Sequence, residues 1–251
     1  MNTIDQWRAV EQAEYERAQK VSPYHDDAAI AAITQHITAQ GHRLFQLFRS
    51  DADDAEHVAN LLDVFRLPIG ARVLDLACGV GAMSELIHQQ LPDLDITLQN
   101  ISESQLALCS DRFKKIHCDF HAVPAPDASF DAVILCYALG HSRLHELTQE
   151  ISRLVRPGGV AAFFDIFTTT YVPDLTDQIG YVAYSPVRLV EEMELAGFRM
   201  TDSRDEYYPD QALEGFMLPE KILDSITPFA MRFVKNQRLA GLAPAGETCD
   251  R

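Results

Sequence analysis

A short stretch near the middle of the chain carries the clearest chemical signal. It reads Val73-Leu74-Asp75-Leu76-Ala77-Cys78-Gly79-Val80-Gly81. The apolar residues predict a buried strand that ends at Asp75, and the two glycines let the backbone turn sharply or approach a ligand closely. A helix is expected from Met83, so the turn lies at the carboxyl end of a strand, where open α/β sheets bind ligands. Ser84 stands where the dinucleotide fingerprint needs a third glycine, which disfavours a nicotinamide or flavin site.

Residues 74–81 resemble motif I of the class I S-adenosylmethionine-dependent methyltransferases. The resemblance covers residues 70–167, because 127–131 is similar to the family's turn into strand four and 156–159 to its turn into strand five. It implies a doubly wound, mostly parallel α/β sheet of the Rossmann-like methyltransferase type, with S-adenosylmethionine as the cofactor. The cofactor contacts that it implies are Asp75, Ala77, Cys78, Gly79, Gly81, Asn100, Ile101, Gln105, Asp119, Phe120 and Cys136.

The parts of the cofactor suggest a role for several of these residues. Gly79 and Gly81 would form a close turn around the methionine end, where Asp75 either accepts a hydrogen bond from the ammonium group or braces the turn. Asp119 would bind the exocyclic amine of adenine, with Phe120 beside the ring.

The expected ribose contact departs from the usual pattern of the class. Most members place an acid at the end of strand two, whereas this chain has Asn100, with Gln105 one helical turn further on. This arrangement resembles the Thr-Leu-Ser-x-x-Gln pattern of cyclopropane fatty acid synthases and geranyl diphosphate C-methyltransferases. The resemblance implies that Asn100 and Gln105 bind the ribose, and the alternative for Gln105 is a side chain that faces solvent.

The end of strand four supplies the candidate catalytic residues. His141 is the acid/base candidate, because an imidazole titrates near neutral pH, and the alternative is a histidine that only bonds backbone or cofactor. Tyr137 would face the sulfonium or a carbocation through its ring. In the geranyl diphosphate enzymes a glutamate acts as base near the position of Tyr137, so the base in this chain stays open. An Asn/Asp-Pro-Pro-Tyr/Phe sequence is missing here, which disfavours N-methylation of nucleic acid or protein amides.

Aromatic residues beyond strand five indicate a pocket for an apolar acceptor, although aromatic residues are also ordinary core material. The set comprises Tyr171, Tyr181 and Tyr184, with Phe167, Trp7 and Tyr24 as further candidates. An acceptor with a diphosphate would need cations, for which Arg17, Lys20, Arg43, Arg188 and Arg232 are candidates. The net charge of −16 is a mark against a highly charged substrate.

The composition is that of a globular chain and narrows the partners. The chain has 251 residues, of which 47% are hydrophobic and 23% charged. Its negative charge disfavours nucleic acid and anionic membrane surfaces. The five cysteines include no CxxC pair, so neither a disulfide framework nor a metal site is expected. The polar start and the lack of a long apolar run predict no signal peptide and no membrane insertion, hence a cytoplasmic setting.

Residue spacing predicts the order of the structural elements. Residues 1–68 form an N-terminal helical cap, lying over the active site or only over the sheet. A methyltransferase domain spans 69–240 with a lid at about 168–185, and a flexible tail covers 241–251. A helix is predicted from Ser102 to Arg112, and further helices at Ala212–Leu218 and Glu220–Leu239, without a seventh strand. Dimerisation through the N-terminal helices stays open.

The leading functional hypothesis is C-methylation of an alkene-bearing, prenyl-type small molecule. Methyl attack would leave a cation that aromatic rings shield and that loses a proton to His141 or a neighbour. The alternatives are O- or N-methylation of a small metabolite with His141 as base, and a non-catalytic protein that binds the cofactor.

Overall fold

The computed structural model describes residues 3–39, 51–168, 172–205 and 225–237. A single sheet of seven strands crosses this part of the chain in the order β3-β2-β1-β4-β5-β7-β6. The strands are β1 (Arg72–Leu76), β2 (Asp95–Asn100), β3 (Lys114–His117), β4 (Phe130–Cys136), β5 (Val155–Thr168), β6 (Phe198–Asp205) and β7 (Ile226–Lys235). The helices are α1 (Thr3–Gln19), α2 (Asp27–Ala39), α3 (Asp51–Phe65), α4 (Ala82–Gln90), α5 (Glu103–Leu106), α6 (Leu144–Leu154) and α7 (Pro186–Leu195).

Parallel pairing brings the candidate site residues to one edge of the sheet. Strand β1 pairs with β2 on one side and with β4 on the other, so that Leu74 lies opposite Thr97 and Val133. Strand β7 runs antiparallel between β5 and β6, with Met231 opposite Phe163. The central strands are buried on both faces, as parallel strands covered by helices require. The expected doubly wound, mostly parallel sheet is therefore confirmed.

Strand β7 contradicts the helix that the sequence predicted over Glu220–Leu239. Residues 226–235 of that range are extended and form the second-longest strand of the sheet that the described residues build. Phe229, Ala230 and Phe233 are spaced as on a helix, but they are buried between β5 and β6 instead. Short apolar runs fit either period, and the aromatic content here favours a strand. The other predicted helix, at 212–218, lies outside the described residues.

Helix α5 is shorter than predicted. Ser102 caps its start as expected, because its Oγ accepts a hydrogen bond of 3.2 Å from the Gln105 backbone N–H. The helix ends at Leu106 rather than near Arg112. Beyond it the chain reverses into β3, and Lys115 Nζ closes this turn by donating to the Cys109 carbonyl at 2.7 Å.

The N-terminal helices lie on different parts of the molecule. Helix α1 contacts the single π-helical turn Leu175–Ile179, and α2 contacts α5, whereas α3 contacts α4, β5, β6 and β7. Asp27 at the start of α2 accepts hydrogen bonds from Ser102 Oγ at 2.5 Å and Ser104 Oγ at 3.0 Å. The domain boundaries at 68 and 240 stay a prediction.

The described part of the expected lid, residues 172–185, packs into the protein. Leu175, Tyr181, Val182 and Tyr184 are each at most 6% exposed. Gly180 has a positive φ of 73°, and a Cβ there would lie 2.8 Å from the Ser22 Cα atom, so this segment touches the end of α1 closely.

A buried ion cluster ties α1 to α7. Glu192 is fully buried and accepts hydrogen bonds from Arg8 and Arg188 at 2.7–2.8 Å and from His145 at 2.9 Å. Burial alone would raise the pKa of Glu192, but these donors outweigh it and hold the pKa at about 2. Arg188 also donates to Glu11 on α1 at 2.7 Å.

Two further observations concern the same described ranges. Cys78, Cys109, Cys118 and Cys136 are free thiols. No helix in these ranges has both the length and the apolar character that a bilayer-spanning helix needs.

Replacing Glu192 should destabilise the fold strongly. We expect Glu192→Gln to lower the free energy of unfolding by about 3 kcal/mol, because it removes the anionic partner of Arg8 and one of the three carboxylates around buried Arg188. Urea unfolding at neutral pH measures this. The matched control is Glu191→Gln, whose side chain is 44% exposed and pairs with Arg188 at the surface, for which less than about 1 kcal/mol is expected. Equal losses in the two variants would contradict the assignment of the cluster as a buried tie.

Candidate functional site

A cavity of about 450 Å³ opens at the carboxyl edge of the sheet. Its walls come from the turn after β1, the ends of β2 and β4, the Asp119–His121 turn after β3, and the end of α1 with the turn that follows it. The volume lies within the range typical of small-molecule sites. Of the predicted cofactor contacts, the following line it: Asp75, Ala77, Cys78, Gly79, Asn100, Ile101, Gln105, Asp119, Phe120 and Cys136.

The two glycines of the turn have different structural roles. Gly79 has a φ of 56°, and a Cβ there would meet nothing within 4 Å, so its backbone borders the open cavity. Gly81 does not line the cavity; with a φ of 79° it starts α4, and a Cβ there would lie 3.2 Å from Cys109 Sγ. Gly81 is therefore needed for backbone angle and close packing.

Gln99 holds the turn in place and was not singled out by the sequence. Its side chain is fully buried; Oε1 accepts from the Ala77 backbone N–H at 2.9 Å, and Nε2 donates to the Cys118 carbonyl at 2.5 Å. This one amide thus connects the turns that follow β1 and β3. The available signal was a glutamine inside an otherwise apolar strand, where a buried polar group needs partners.

Asp75 lies at the floor of the cavity. Its carboxylate accepts a hydrogen bond of 2.6 Å from Ser84 Oγ, so it braces the start of α4. Burial raises the pKa of Asp75 to about 7, although the bond from Ser84 works in the opposite direction.

Asn100 and Gln105 are brought together, but Asn100 is already engaged. Its Nδ2 donates to the Gly79 carbonyl at 3.0 Å and to Gln105 Oε1 at 2.9 Å, while its Oδ1 accepts from the Ser102 backbone N–H at 3.2 Å. Asn100 therefore fixes the glycine turn and orients Gln105, whose Nε2 stays available to a ribose hydroxyl.

Asp119 is positioned by a histidine that the sequence reasoning missed. Its Oδ1 accepts from His121 Nδ1 at 2.7 Å and from the His121 backbone N–H at 2.8 Å, and these donors lower the pKa of Asp119 to about 2. His121 Nε2 in turn accepts from the Arg143 backbone N–H at 3.0 Å, which fixes its tautomer. The second oxygen of Asp119 is left for a donor such as the adenine amine, beside the lining ring of Phe120.

Two non-glycine residues at the edge adopt left-handed backbone angles. Ala77 follows β1 with a φ of 55°, and Tyr137 follows β4 with a φ of 58°. Such angles cost about 1–2 kcal/mol for a residue with a Cβ, and strained backbone of this kind clusters at binding sites. Tyr137 lines the cavity, and its ring lies edge-on to Phe164 at 4.9 Å between centroids.

His141 lines the same cavity in a fixed tautomer. Its Nδ1 lies 3.2 Å from the Gly180 carbonyl, which can only accept, so Nδ1 carries the proton and Nε2 a lone pair. Its ring contacts those of Tyr24 at 4.6 Å and Tyr181 at 5.0 Å. Burial lowers the pKa of His141 to about 4, so the imidazole is neutral at physiological pH.

The structure does not bring the predicted substrate tyrosines into the cavity. Tyr181 donates its hydroxyl to buried Asp165, and Tyr184 donates to the Ser142 carbonyl at 2.7 Å. Both rings are interior packing, and Gly140 leaves the space that Tyr181 fills, since a Cβ there would lie 2.3 Å from the tyrosine ring. Tyr171 lies outside the described residues.

The N-terminal segment, rather than these tyrosines, forms the remaining wall of the cavity. Tyr15, Gln19, Ser22, Tyr24 and His25 line the cavity. Of these, only Tyr24 was a sequence candidate. Trp7, the other N-terminal candidate, is 51% exposed on α1. The local sequence around a tyrosine at the end of a polar helix does not indicate that it will lie against a distant strand edge.

The candidate cations are engaged elsewhere. Arg17 pairs with Asp177 at 2.8 Å, Arg188 belongs to the Glu192 cluster, and Arg232 bonds to the Phe65 carbonyl at 3.0 Å and to Thr201 Oγ1 at 2.7 Å. Lys20 is exposed outside the cavity lining, and Arg43 lies outside the described residues.

Comparison with known proteins agrees with this geometry. Residues 74–163 match the family profile described as a methyltransferase domain. The sterol 24-C-methyltransferase ERG6B of Gibberella zeae is 32% identical over 135 residues, which cover 49% of this chain and 35% of that enzyme. The chain thus spans about a third of that relative's length. The ubiquinone/menaquinone biosynthesis C-methyltransferase UbiE of Pseudomonas putida is 25% identical over 236 residues, covering 85% of each chain.

A solved structure shares the fold. Geranyl diphosphate C-methyltransferase from Streptomyces coelicolor A3(2), solved with Mg²⁺, geranyl diphosphate and S-adenosyl-L-homocysteine, superposes with a TM-score of 0.61. The superposition covers 72% of this chain and 79% of that one at 13% identity.

The strand order, the glycine turn and the family profile agree: residues 74–163 form a methyltransferase domain of the class I, S-adenosylmethionine-dependent type. Within that class the chain is similar in sequence to the sterol and quinone C-methyltransferases named above, and in fold to the geranyl diphosphate enzyme. The class and the cofactor expected from the sequence are confirmed. The residues present fit that cofactor: an open glycine turn, an available Gln105 amide and a half-free Asp119 carboxylate lie in one cavity.

Alanine substitutions should distinguish the role of Gly79 in cofactor binding from the role of Gly81 in packing. We expect Gly79→Ala to weaken binding of S-adenosylhomocysteine by about tenfold, because its new methyl group points into the cavity. We expect Gly81→Ala to lower the free energy of unfolding by roughly 1–3 kcal/mol, because its methyl group would crowd Cys109. Calorimetric titration and urea unfolding of both variants measure these effects. A Gly79→Ala variant with unchanged affinity would contradict the placement of the cofactor against this turn.

His141 should make the fold less stable in mild acid. Its folded pKa of about 4 lies below the ordinary value of 6.5, so the unfolded chain binds more protons between these values. We therefore expect the unfolding free energy of the wild type to fall, relative to His141→Gln, as pH decreases from 7 to 5. Urea unfolding at several pH values tests this. Parallel pH curves for the two proteins would show that His141 is not buried as described.

Proposed function

We propose that this chain transfers the methyl group of S-adenosylmethionine to a carbon atom of a small, uncharged, alkene-bearing acceptor of the prenyl type. The observation that carries the proposal is one continuous cavity in which the cofactor edge adjoins Tyr24, Tyr137 and His141. The cofactor supplies a methyl group already activated on a sulfonium sulfur. The chain contributes orientation of the acceptor and exclusion of water.

The protonation state of His141 favours carbon as the methyl acceptor. Addition of a methyl group to an alkene leaves a carbocation, which is a far stronger acid than an imidazolium. A base with a pKa of about 4 can therefore take its proton, and Nε2 of His141 has the lone pair to do so. Loss of a proton from an ammonium or a phenol would call for a stronger base. The names of the sterol and quinone relatives, both C-methyltransferases, support the same choice.

The electrostatics of the cavity favour an uncharged acceptor. The described lining contains apolar, thiol, amide, hydroxyl, carboxylate and imidazole groups but no lysine or arginine, while Arg17, Arg188 and Arg232 are held in other contacts. The geranyl diphosphate enzyme was solved in complex with Mg²⁺ and its charged substrate. Here the carboxylate of Asp119 would repel a diphosphate.

The test measures cofactor binding first and product formation second. Calorimetry should show that S-adenosylmethionine and S-adenosylhomocysteine bind the purified protein. Incubation with methyl-labelled cofactor and a panel of prenyl alcohols, sterols, phenols and amines should give a labelled C-methyl product from an alkene. Labelled ethers or amines would instead establish O- or N-methylation. Cofactor binding without product over the panel would favour the non-catalytic alternative.

Loss of His141 should affect turnover and leave the cofactor in place. We expect His141→Gln to lower kcat by roughly 10²–10⁴-fold, the usual contribution of a general base, with unchanged affinity for S-adenosylhomocysteine. His36→Gln, an exposed histidine on α2, is the matched control and should keep full activity. A His141→Gln variant with wild-type kcat would remove His141 from the role of base.

A further inference from the structure

The hydroxyl of Tyr24 is a polar group of the cavity that makes no hydrogen bond within the described residues. Tyr24 lies in the 3₁₀ turn Pro23–His25, which Ser22 caps by accepting from the Tyr24 backbone N–H at 3.4 Å. Gly180 packs against Ser22, so the turn is fixed against the body of the protein. The position of the Tyr24 ring is thus determined by backbone contacts on both sides.

The ring of Tyr24 packs against neighbouring side chains, whereas its hydroxyl makes no hydrogen bond within the described residues. The ring lies 4.6 Å from His141, and burial raises the pKa of Tyr24, which keeps the hydroxyl protonated and able to donate. Among the described residues the hydroxyl has no hydrogen-bond partner, and Tyr24 lines the cavity. A hydroxyl in a largely apolar setting without a partner is unfavourable, and a ligand oxygen would satisfy it.

The surrounding groups specify which oxygen fits. The neighbouring imidazole of His141 is neutral, Asp119 in the same lining is anionic, and the candidate cations Arg17 and Arg188 are paired elsewhere. A charged phosphate oxygen would find a single hydroxyl donor and no counter-charge among these groups. An alcohol or carbonyl oxygen needs only that one donor.

We propose that Tyr24 determines acceptor specificity by donating a hydrogen bond to an uncharged oxygen on the methyl acceptor. This rests on the proposed function and narrows its substrate class to alkenes that carry an alcohol or carbonyl group. The hydrogen bond places the acceptor beside His141, whose Nε2 stays free for the proton of the cation. Tyr24 is a positioning residue that acts on the oxygen, and it takes no proton itself.

The experiment uses matched probes on the full chain saturated with S-adenosylhomocysteine. The probes are geraniol, the hydrocarbon that lacks only the oxygen of geraniol, and geranyl diphosphate, with binding measured by calorimetry or ligand-observed NMR. The wild type should bind geraniol roughly tenfold more tightly than the hydrocarbon, which is the worth of one hydrogen bond. Tyr24→Phe should lose that preference and bind the hydrocarbon as before.

A second tyrosine supplies the control. Tyr15 also lines the cavity, but its ring lies under the Arg143 guanidinium, 5.6 Å from the ring centroid, so Tyr15 already has a charged partner. Tyr15→Phe should therefore keep the preference for geraniol. Where geraniol is turned over, Tyr24→Phe should raise KM much more than it lowers kcat, and the pH profile set by His141 should not move.

Several results would overturn the inference. These are an undiminished geraniol preference in Tyr24→Phe, tighter binding of the diphosphate than of geraniol, or no binding of any probe at millimolar concentration. The cofactor titration is read separately: failure to bind S-adenosylhomocysteine refutes the proposed function. Cofactor binding without the oxygen preference refutes only the role of Tyr24.

Discussion

The carboxyl edge of the sheet imposes a constraint on which the rest of the site depends. Each strand must turn there while its backbone groups are shielded from water, and such groups need partners. Three buried side chains meet this need. Gln99 binds the turns after β1 and β3, Asn100 binds Gly79, and Asp165 accepts from the Leu139 and Ile166 backbone N–H groups at 2.7–2.8 Å. These three side chains fix the turns that surround the cavity.

The two ends of the cavity are built by different means. At the cofactor end, turns that follow neighbouring strands are held rigidly by short side-chain hydrogen bonds. At the other end, His141 lies between the rings of Tyr24 and Tyr181. Asp165 accepts hydrogen bonds from the start of the 3₁₀ turn Leu139–His141 and from the hydroxyl of Tyr181. Burial raises the pKa of Asp165 to about 6, so that carboxylate remains ionised at neutral pH. Burial thus keeps the His141 imidazole neutral between the rings of Tyr24 and Tyr181.

Local patterns allowed the cofactor end to be predicted, because its residues follow strands at fixed offsets. Asp75, Gly79, Asn100 and Asp119 were expected from their places in the chain, and all four line the cavity. Gln99 and His121 were missed because their value lies in contacts across strands. Strand β7 was missed because Phe229 and Phe233 fit a helical period as well as a strand, and only pairing with β5 decides between them. Tyr181 and Tyr184 have the composition of a pocket wall, yet their hydroxyls turn inward to buried acceptors.

Helix α1 has an unusual means of attachment for an element that walls a ligand site. The residue that it buries fully is Ala18, whereas Arg8, Glu11 and Arg17 bind charged partners on α7 and on the π-helical turn. The Glu192 cluster is buried, and salt screens buried charge pairs little, whereas the exposed pair of Arg17 with Asp177 weakens as ionic strength rises. Arg17 lies near the end of α1 that walls the cavity. The attachment of that end therefore depends on ionic strength, while the attachment at Arg8 does not.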